Sequence, residues 1–528
     1  MNIDFTPLVR KHFQKIAERT ETWDKDSALL QRRVLRSLLI RGQFTEYGKL
    51  YDFENLVTST DLYQEYKRQV PLVEYEDIRE YVDRMMKGEK DVLWMGICRD
   101  FAQSSGTSGG RSKYIPITSD SLNGNHYRGG EDTVAHYLRM VPESRMFSGK
   151  GFILGGSFAN SLTGNEYIHS NVGDLSATLI NHINPLANFV RVPSKKVALM
   201  PDWESKLPAL VKAAADKNIT NISGVPSWFL TVLRKILEYK KVSVISEVWP
   251  NLEVFFHGGI SFEPYRDEYR KITQGLDMHF METYNASEGF FAVQNDFEDP
   301  SMLLIVDRDI FYEFIPVEGD DREPRPIWEV EKDKVYEIVI SASNGLWRYR
   351  LGDTVRITDT NPVKIKIAGR TRSFINAFGE ELMEYNAESA IAEACDRCGA
   401  NILNYTVAPR FSSGGKKGCH QWLIEWEKKP GDIKEFTEVL DRELRSVNSD
   451  YDAKRSHSIF LDLPEIVTAR PGLFDLWLKT EGSHKLGGQR KVPRLQNDRA
   501  MMEKLLQLNE TSSIDEENEA SVEEPESN

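Results

Sequence analysis

Residues Ser104-Ser105-Gly106-Thr107-Ser108-Gly109-Gly110-Arg111-Ser112-Lys113 run without a break into Tyr114-Ile115-Pro116-Ile117-Thr118. This join constrains the fold most. A flexible Gly/Ser linker does not usually feed straight into a β-branched strand, so the segment reads as a loop mounted on a sheet. Glycine lets the backbone adopt φ > 0 and approach a ligand closely. Successive backbone N–H groups, hydroxyls and a lysine are what a polyphosphate needs from a loop. The frame differs from the P-loop, which requires Gly, four residues, then Gly-Lys-Ser/Thr. Here Gly106 is followed by Gly109 and Gly110, and Lys113 by Tyr114.

The remaining pattern predicts an α/β protein. At 528 residues the chain exceeds one hydrophobic core, so two or more domains are expected. Leu29, Leu30, Val34, Leu35, Leu38 and Leu39 predict a helix over 27–41, capped by Asp26 or Ser27. Runs at 151–156 and 252–256 read as buried strands, alternating with helical stretches at 206–217 and 227–240. Strands at 336–340 and 363–367 alternate as half-exposed. After Gly379 the pattern restarts as a small α+β unit: helices near 386–398 and 432–447, strands at 404–408 and 421–426. The expected organisation is 1–380, 381–505 and an acidic tail, 506–528, too polar to order.

Two later motifs fix the chemistry. They are Tyr284-Asn285-Ala286-Ser287-Glu288-Gly289 and Tyr349-Arg350-Leu351-Gly352-Asp353. Gly369-Arg370, Phe374-Ile375-Asn376 and Gly379-Glu380 follow. In this order the set resembles the acyl-adenylate-forming superfamily. The Ser-Ser-Gly-Thr-Ser loop and the Tyr-Arg-x-Gly-Asp motif resemble one branch of it, the acyl-acid amido synthetases. These are named for the plant enzymes that conjugate auxin and jasmonate to amino acids. The resemblance spans roughly residues 30 to 495. It implies a large N-terminal adenylate-forming domain of layered β-sheets and helices, and a small mobile C-terminal domain. It also implies ATP and Mg²⁺ as cofactors, with a carboxylic acid and an amino acid or other amine as small-molecule partners.

The resemblance assigns roles residue by residue. Ser104, Ser105, Gly106, Thr107, Ser108 and Lys113 would form the β,γ-phosphate loop. Glu288 would hold Mg²⁺, a hard cation that takes one or two carboxylates beside phosphate oxygens. Tyr284 would stack on adenine, and Ser287 would bond adenine or the α-phosphate. Gly258 and Gly259, after a buried strand, would let adenine pass; His257 before them is more often a structural residue. Asp353 would accept both ribose hydroxyls, which takes a carboxylate because an amide has one acceptor oxygen. Arg370 would reach ribose or phosphate, with a surface ion pair as its alternative. Trp228 and Phe229 open a helix and are candidates for the acyl pocket, although helix aromatics are as often core. Residues 160–174 form a candidate loop over the acid.

Near the C-terminal end, Gln489-Arg490-Lys491-Val492-Pro493-Arg494 resembles the Gln-x-Lys-x-Pro-Arg signature of the amido synthetases. Lys491 matches the lysine that stabilises the adenylation transition state; Lys485 is second. Arg490 stands where the plant enzymes usually carry tyrosine. Phe378-Gly379-Glu380-Glu381 is closer to the wider superfamily's hinge, expected over 376–381.

Composition sets outer limits. Net charge is −14, and eight of the acids lie in 510–528, which has no basic residue, so the rest nets −6. That argues against a nucleic-acid footprint, which would be basic. No run approaches about 18 apolar residues, so no membrane span is expected. Four cysteines in such a chain do not suggest a disulfide framework, and a cytoplasmic setting is expected. Cys395-x-x-Cys398 with Cys419-His420 has poor zinc-ligand geometry and reads as small apolar residues of a helix. Two rivals share these motifs: an acyl-CoA ligase with the same first half-reaction, and a nucleotide-binding regulator without catalysis. The acid, the amine and the oligomeric state are not encoded legibly.

Overall fold

The computed structural model describes residues 4–520, apart from 105–112, 159–166, 168–169, 185–186, 188, 261, 263–264, 318–320, 371–373, 412–416, 457–460 and 481–491; the side chains of Ser104, Trp203, Ser227, Arg370, Tyr385, Asp475, 478–480 and 511–520 also lie outside it. The described residues fall into two compact units, one through the strand ending at Arg370 and the other from Phe374 onward.

The first unit carries strands β1 (Asp100–Ser104), β2 (Lys113–Ile117), β3 (Lys150–Ile153), β4 (Asn171–Gly173), β5 (Arg191–Val192), β6 (Ile219–Gly224), β7 (Val254–His257) and β8 (His279–Ala286). It continues with β9 (Gly289–Gln294), β10 (Met302–Leu304), β11 (Ile310–Pro316), β12 (Arg325–Pro326), β13 (Val335–Ala342), β14 (Tyr349–Thr360) and β15 (Val363–Arg370). Twelve of these form one sheet in the order β12-β11-β13-β14-β15-β10-β9-β8-β7-β6-β3-β5. From β5 to β8 the strands are parallel. From β8 to β12 they are antiparallel. Parallel neighbours need long crossovers, and the helices Trp203–Ala214, Pro226–Lys240 and Arg266–Ile272 supply them. The sense of the sheet switches at β8, and α/β sheets bind ligands beyond the carboxyl ends of strands at such points.

The α/β class holds, with local departures. The first long helix begins at Trp23, four residues before the expected start, and Thr22 caps it without a side-chain bond. Ser27 instead donates its hydroxyl to the Trp23 carbonyl inside the helix. β13, expected to be half-exposed, is buried along nearly its whole length. Its alternating polar residue, Glu337, is not on a solvent face: Arg350 clamps it at 2.7 and 3.0 Å. On β13, Ser341 bonds the Tyr66 hydroxyl at 2.7 Å, so the helix Leu62–Gln69 closes over it.

The second unit contains β16 (Phe374–Ile375), β17 (Leu382–Met383), β18 (Asn401–Arg410), β19 (Cys419–Lys428) and β20 (Glu465–Ala469), the last three forming a sheet in that order. One core gathers Ala387, Ile391, Trp422, Phe436 and Leu440, which joins the sheet to the helices Glu384–Cys398 and Ile433–Val447. Cys395 and Cys398 pack against it. A second cluster holds Leu423, Leu473, Phe474, Met502 and Leu505.

Two expectations change here. The tail expected to be disordered from 506 begins inside a helix, Ala500–Ala520. Leu506 and Leu508 pack against the second cluster, and the Asn509 amide bonds the Arg470 N–H at 2.8 Å and the Thr468 carbonyl at 3.2 Å. The hinge expected over 376–381 is a fastened turn. Asn376 N–H donates to Asn497 Oδ1 at 2.7 Å, and Phe378 N–H to Glu380 Oε2 at 2.7 Å. Glu380 is fully buried, with Oε1 2.8 Å from His420 Nε2. Gly379 takes φ +85° in this turn, a value that favours glycine.

Candidate active site

The centre of the site is a hydrogen bond from the Tyr284 hydroxyl to Asp353 Oδ2, at 2.7 Å. In the sheet, β14 and β8 are four places apart, which would be about 19 Å if the sheet were flat. The bond therefore requires the sheet to curl until β8 and β14 face each other. Tyr284 is 5% exposed and Asp353 8% exposed, and the Tyr284 ring also meets Phe291, centroids 4.9 Å apart.

Local sequence explains how each residue is aimed. Around Asp353, the pairing of β13 with β14 passes from Glu337↔Thr354 to Val339↔Arg350, so Leu351-Gly352-Asp353 bulges. Gly352 has φ +79°. A bulge of this kind re-aims a side chain, and the left-handed backbone is the reason the motif carries glycine there. The strand ahead of it is pinned by Arg348, whose guanidinium holds Glu313 at 2.9 Å twice in a buried pair. Arg370 sits opposite Asp353 in the β14–β15 register.

The Ser287-Glu288 pair is the two-residue turn between β8 and β9, since Ala286 pairs with Gly289. Both side chains are half-buried. Asn344 donates to the Glu288 carbonyl at 3.0 Å. Asn125 accepts from the Phe290 N–H at 2.7 Å and donates to the Phe290 and Arg308 carbonyls at 3.1 and 2.9 Å. Gly289 leaves no room for a side chain: a Cβ would lie 2.5 Å from Ile310 Cδ1. The turn is therefore held from both sides. Asn125 and Asn344 are buried positioning residues that no motif reveals.

Gly258 lies against β8, where a Cβ would be 2.5 Å from the Thr283 carbonyl oxygen. Gly259 is exposed with φ +82°. His257 is buried and stacked on Phe262 at 4.3 Å, and burial pushes its pKa down to about 3. A neutral, stacked imidazole fits the structural reading of His257.

The phosphate-loop residues Ser105, Gly106, Thr107 and Ser108 lie outside the described residues, as does the side chain of Ser104. What surrounds them is a hairpin: Ser104 pairs with Lys113 across β1 and β2. Lys113 is thus the first residue of a strand and half-buried. One segment links this hairpin to the Asp353 strand. Val73 bonds Arg348 O and Arg350 N at 3.1 and 2.9 Å, and the Tyr75 hydroxyl accepts from the Tyr114 N–H at 2.8 Å.

Other expected residues are not brought to this place. Phe229 is fully buried, with Phe152 and Phe255 at 5.2 and 5.5 Å, so it is a core residue rather than a pocket wall. Trp228, next to it in the first turn of Pro226–Lys240, is half-buried. Residues 481–491, and with them Lys485 and Lys491, lie outside the described residues, as do most of 160–174. At the end of β3, Lys206 is buried and donates to the Gly155 and Gly156 carbonyls at 2.8 and 3.2 Å. Burial lowers its pKa to about 8, and the nearby Asp174 opposes that shift.

No group of three His, Cys, Asp or Glu with metal-holding geometry occurs among the described residues. No described helix is long and apolar enough to cross a membrane.

A curled sheet that switches sense at β8, followed by a separate α+β unit, is the adenylate-forming architecture. It is similar to that of 2-hydroxyisobutyryl-CoA ligase in complex with 2-HIB-AMP and CoA, at TM-score 0.52 and 12% identity over 91% of this chain and 92% of that one. It is also similar to AtGH3.15 acyl acid amido synthetase in complex with 2,4-DB, at TM-score 0.60 and 21% identity over 96% and 98% of the two chains. The chain belongs to the GH3 family: the N-terminal domain of that family matches residues 16–278, its central domain 303–370 and its C-terminal domain 385–500. Curated relatives include jasmonoyl--L-amino acid synthetase JAR6 of Nicotiana attenuata, 24% identical over 81% of this chain and 84% of that protein. Another is indole-3-acetic acid-amido synthetase GH3.4 of Arabidopsis thaliana, 23% identical over 71% and 73%.

Proposed function

We propose that this chain is an ATP-dependent acyl-acid amido synthetase. A carboxylate oxygen attacks the α-phosphorus of ATP, the bond to the β-phosphate bridging oxygen breaks, and pyrophosphate leaves. The amine nitrogen of an amino acid then attacks the acyl carbon of the acyl-AMP. The carbon–oxygen bond to AMP breaks, the nitrogen loses a proton, and an amide forms. The observation that carries this reading is the Tyr284–Asp353 pair beside the Ser287-Glu288 turn, at the strand where the sheet changes sense. Membership of the GH3 family, and the amido synthetases named among the relatives, support the amide outcome.

Each residue has work in this scheme. With Oδ2 held by Tyr284, Asp353 keeps a fixed rotamer and presents its carboxylate to the two ribose hydroxyls. Gly258 and Gly259 leave a side-chain-free ledge for the adenine, and Tyr284 borders it. Ser287 addresses the α-phosphate, and Arg370, beside Asp353 in register, the ribose or phosphate. Glu288 would hold Mg²⁺, which supplies charge neutralisation on the phosphates when bound. Ser104, Ser105, Gly106, Thr107, Ser108 and Lys113 bind the β,γ-phosphates, and Lys491 places positive charge on the developing phosphate oxyanion. Trp228 remains the candidate for the acyl pocket. A cytoplasmic setting would supply the ATP.

The test is product identity. The protein is incubated with ATP, Mg²⁺ and a panel of carboxylic acids, and amino acids or CoA are added separately. An acyl-amino acid mass supports the proposal; a thioester with CoA and no amide overturns it.

A further inference from the structure

On the first unit, a cleft of about 600 Å³ opens between the helices Trp23–Gly42 and Leu62–Gln69 and the short turn Ile327–Glu329. It is not built from any residue of the Asp353 site. Strand order sets it apart as well: Trp328 follows β12 at the edge of the large sheet, and Asp353 lies on β14, three places in.

Leu29, Arg32, Arg33 and Arg36 line one wall. Their spacing puts them on one stripe of a single helix. All three arginines are exposed, and none makes a hydrogen bond or ion pair among the described residues. Arg32 and Arg36 are a like-charge i,i+4 pair, which disfavours the helix slightly. The opposite wall holds Trp328, with the Arg32 guanidinium 4.3 Å from its ring centroid, and Tyr63, whose ring meets the indole edge-on at 5.6 Å. Leu35 and Leu62 are buried beneath. Asp61 and Glu329 also line the cleft, so the arginines outnumber the acids there. Tyr63 is fixed by its hydroxyl, which donates to Glu313 at 3.1 Å and the Pro324 carbonyl at 3.2 Å.

We propose that this cleft is a second binding site, for a small molecule that joins a phosphate-type anion to a planar ring. Guanidinium groups bind such anions in bidentate fashion, and a guanidinium stacked on an indole keeps its in-plane N–H donors free. Leu29, 46% exposed, and the Trp328 edge supply the apolar walls that a ring needs. The volume falls in the range of small-molecule pockets. Arg32 stacks on Trp328, but none of the three guanidinium groups meets an anionic acceptor among the described residues.

The probe is phenyl phosphate, with inorganic phosphate and phenol as its two halves. Calorimetric titration uses the full chain without nucleotide, and the arginine variants separate binding in this cleft from binding at the Asp353 site. Saturable one-to-one binding of phenyl phosphate, tighter than either half, is expected. The double variant Arg33→Gln and Arg36→Gln should bind it at least about tenfold more weakly, with an unchanged melting temperature. Arg36→Lys, which keeps the charge but loses the fork, should fall between. Trp328→Leu should erase the preference over inorganic phosphate. Absence of saturable binding by the wild type, equal binding by the arginine variants, or no preference for the ring overturns the proposal.

Discussion

The Tyr284 hydroxyl and Asp353 Oδ2 are 2.7 Å apart although their strands are four places apart in the sheet. This one bond shows that the sheet curls, and it brings together two motifs separated by 69 residues. It also orients the carboxylate through one of its two oxygens, Oδ2.

Tyr284→Phe should therefore keep the fold and weaken ATP use. The loss of one orienting hydrogen bond is worth about 1 kcal/mol, roughly fivefold in the KM for ATP. Steady-state kinetics at varied ATP checks this. An unchanged KM would mean that the tyrosine hydroxyl does not position Asp353.

Gly352→Ala should be costly in both stability and ATP binding. An alanine forced to φ near +79° costs about 1–2 kcal/mol, and relaxation of the bulge would turn Asp353 away. Urea unfolding and nucleotide titration measure the two effects. Normal ATP binding with reduced stability would separate the bulge from the aim of Asp353.

The residues that the fold gathers around Tyr284 were legible in the sequence because they fall in short motifs. Tyr284 and Asp353, named from two separate motifs, are brought within 2.7 Å by the fold, and Ser287-Glu288 forms the turn beside Tyr284. Asn125 and Asn344 could not be read, because they bond Phe290 and Glu288, 165 and 56 residues away. Phe229, expected at the acyl pocket, packs in the core, because the pocket face and the core face of a helix look alike in sequence. Glu337 misled the reading of β13 because alternation cannot distinguish a solvated glutamate from one paired with Arg350. The tail boundary failed for a related reason: composition averaged over 506–528 hides Leu506 and Leu508, which pack.

Lys206 gives a pH signature. Its pKa is lowered to about 8 by burial, while an unfolded chain holds its lysine protons to about 10.4. Between those values the unfolded state binds more protons, so this group makes stability rise with pH from about 8 toward 10. Below pH 8 both states are protonated and the contribution is flat. Urea unfolding of the wild type and Lys206→Met at pH 7, 8 and 9.5 should show the wild type gaining relative to the variant over the upper interval. Parallel pH profiles would contradict the assignment.

Truncation should show where the C-terminal helix ceases to matter. Ending the chain after Glu510 keeps Leu505, Leu506, Leu508 and Asn509, and the melting temperature should not change. Ending it after Lys504 removes the buried Leu505, worth about 2 kcal/mol or more, together with the Asn509 bonds to Arg470 and Thr468. The second unit should then unfold earlier. Equal melting of the two truncations would show that the helix does not brace the sheet.

The most direct measurement is exchange of labelled pyrophosphate into ATP as a function of added carboxylic acid. It isolates the first half-reaction and needs no knowledge of the amine. Exchange should require both an acid and Mg²⁺, and should fall by about tenfold or more in Asp353→Ala, since hydrogen bonds to a carboxylate are worth about 1.5–3 kcal/mol. It should also be lost in Glu288→Ala, with melting temperatures unchanged. Exchange at the wild-type rate in Asp353→Ala, or no exchange with any acid of a broad panel, would contradict the account.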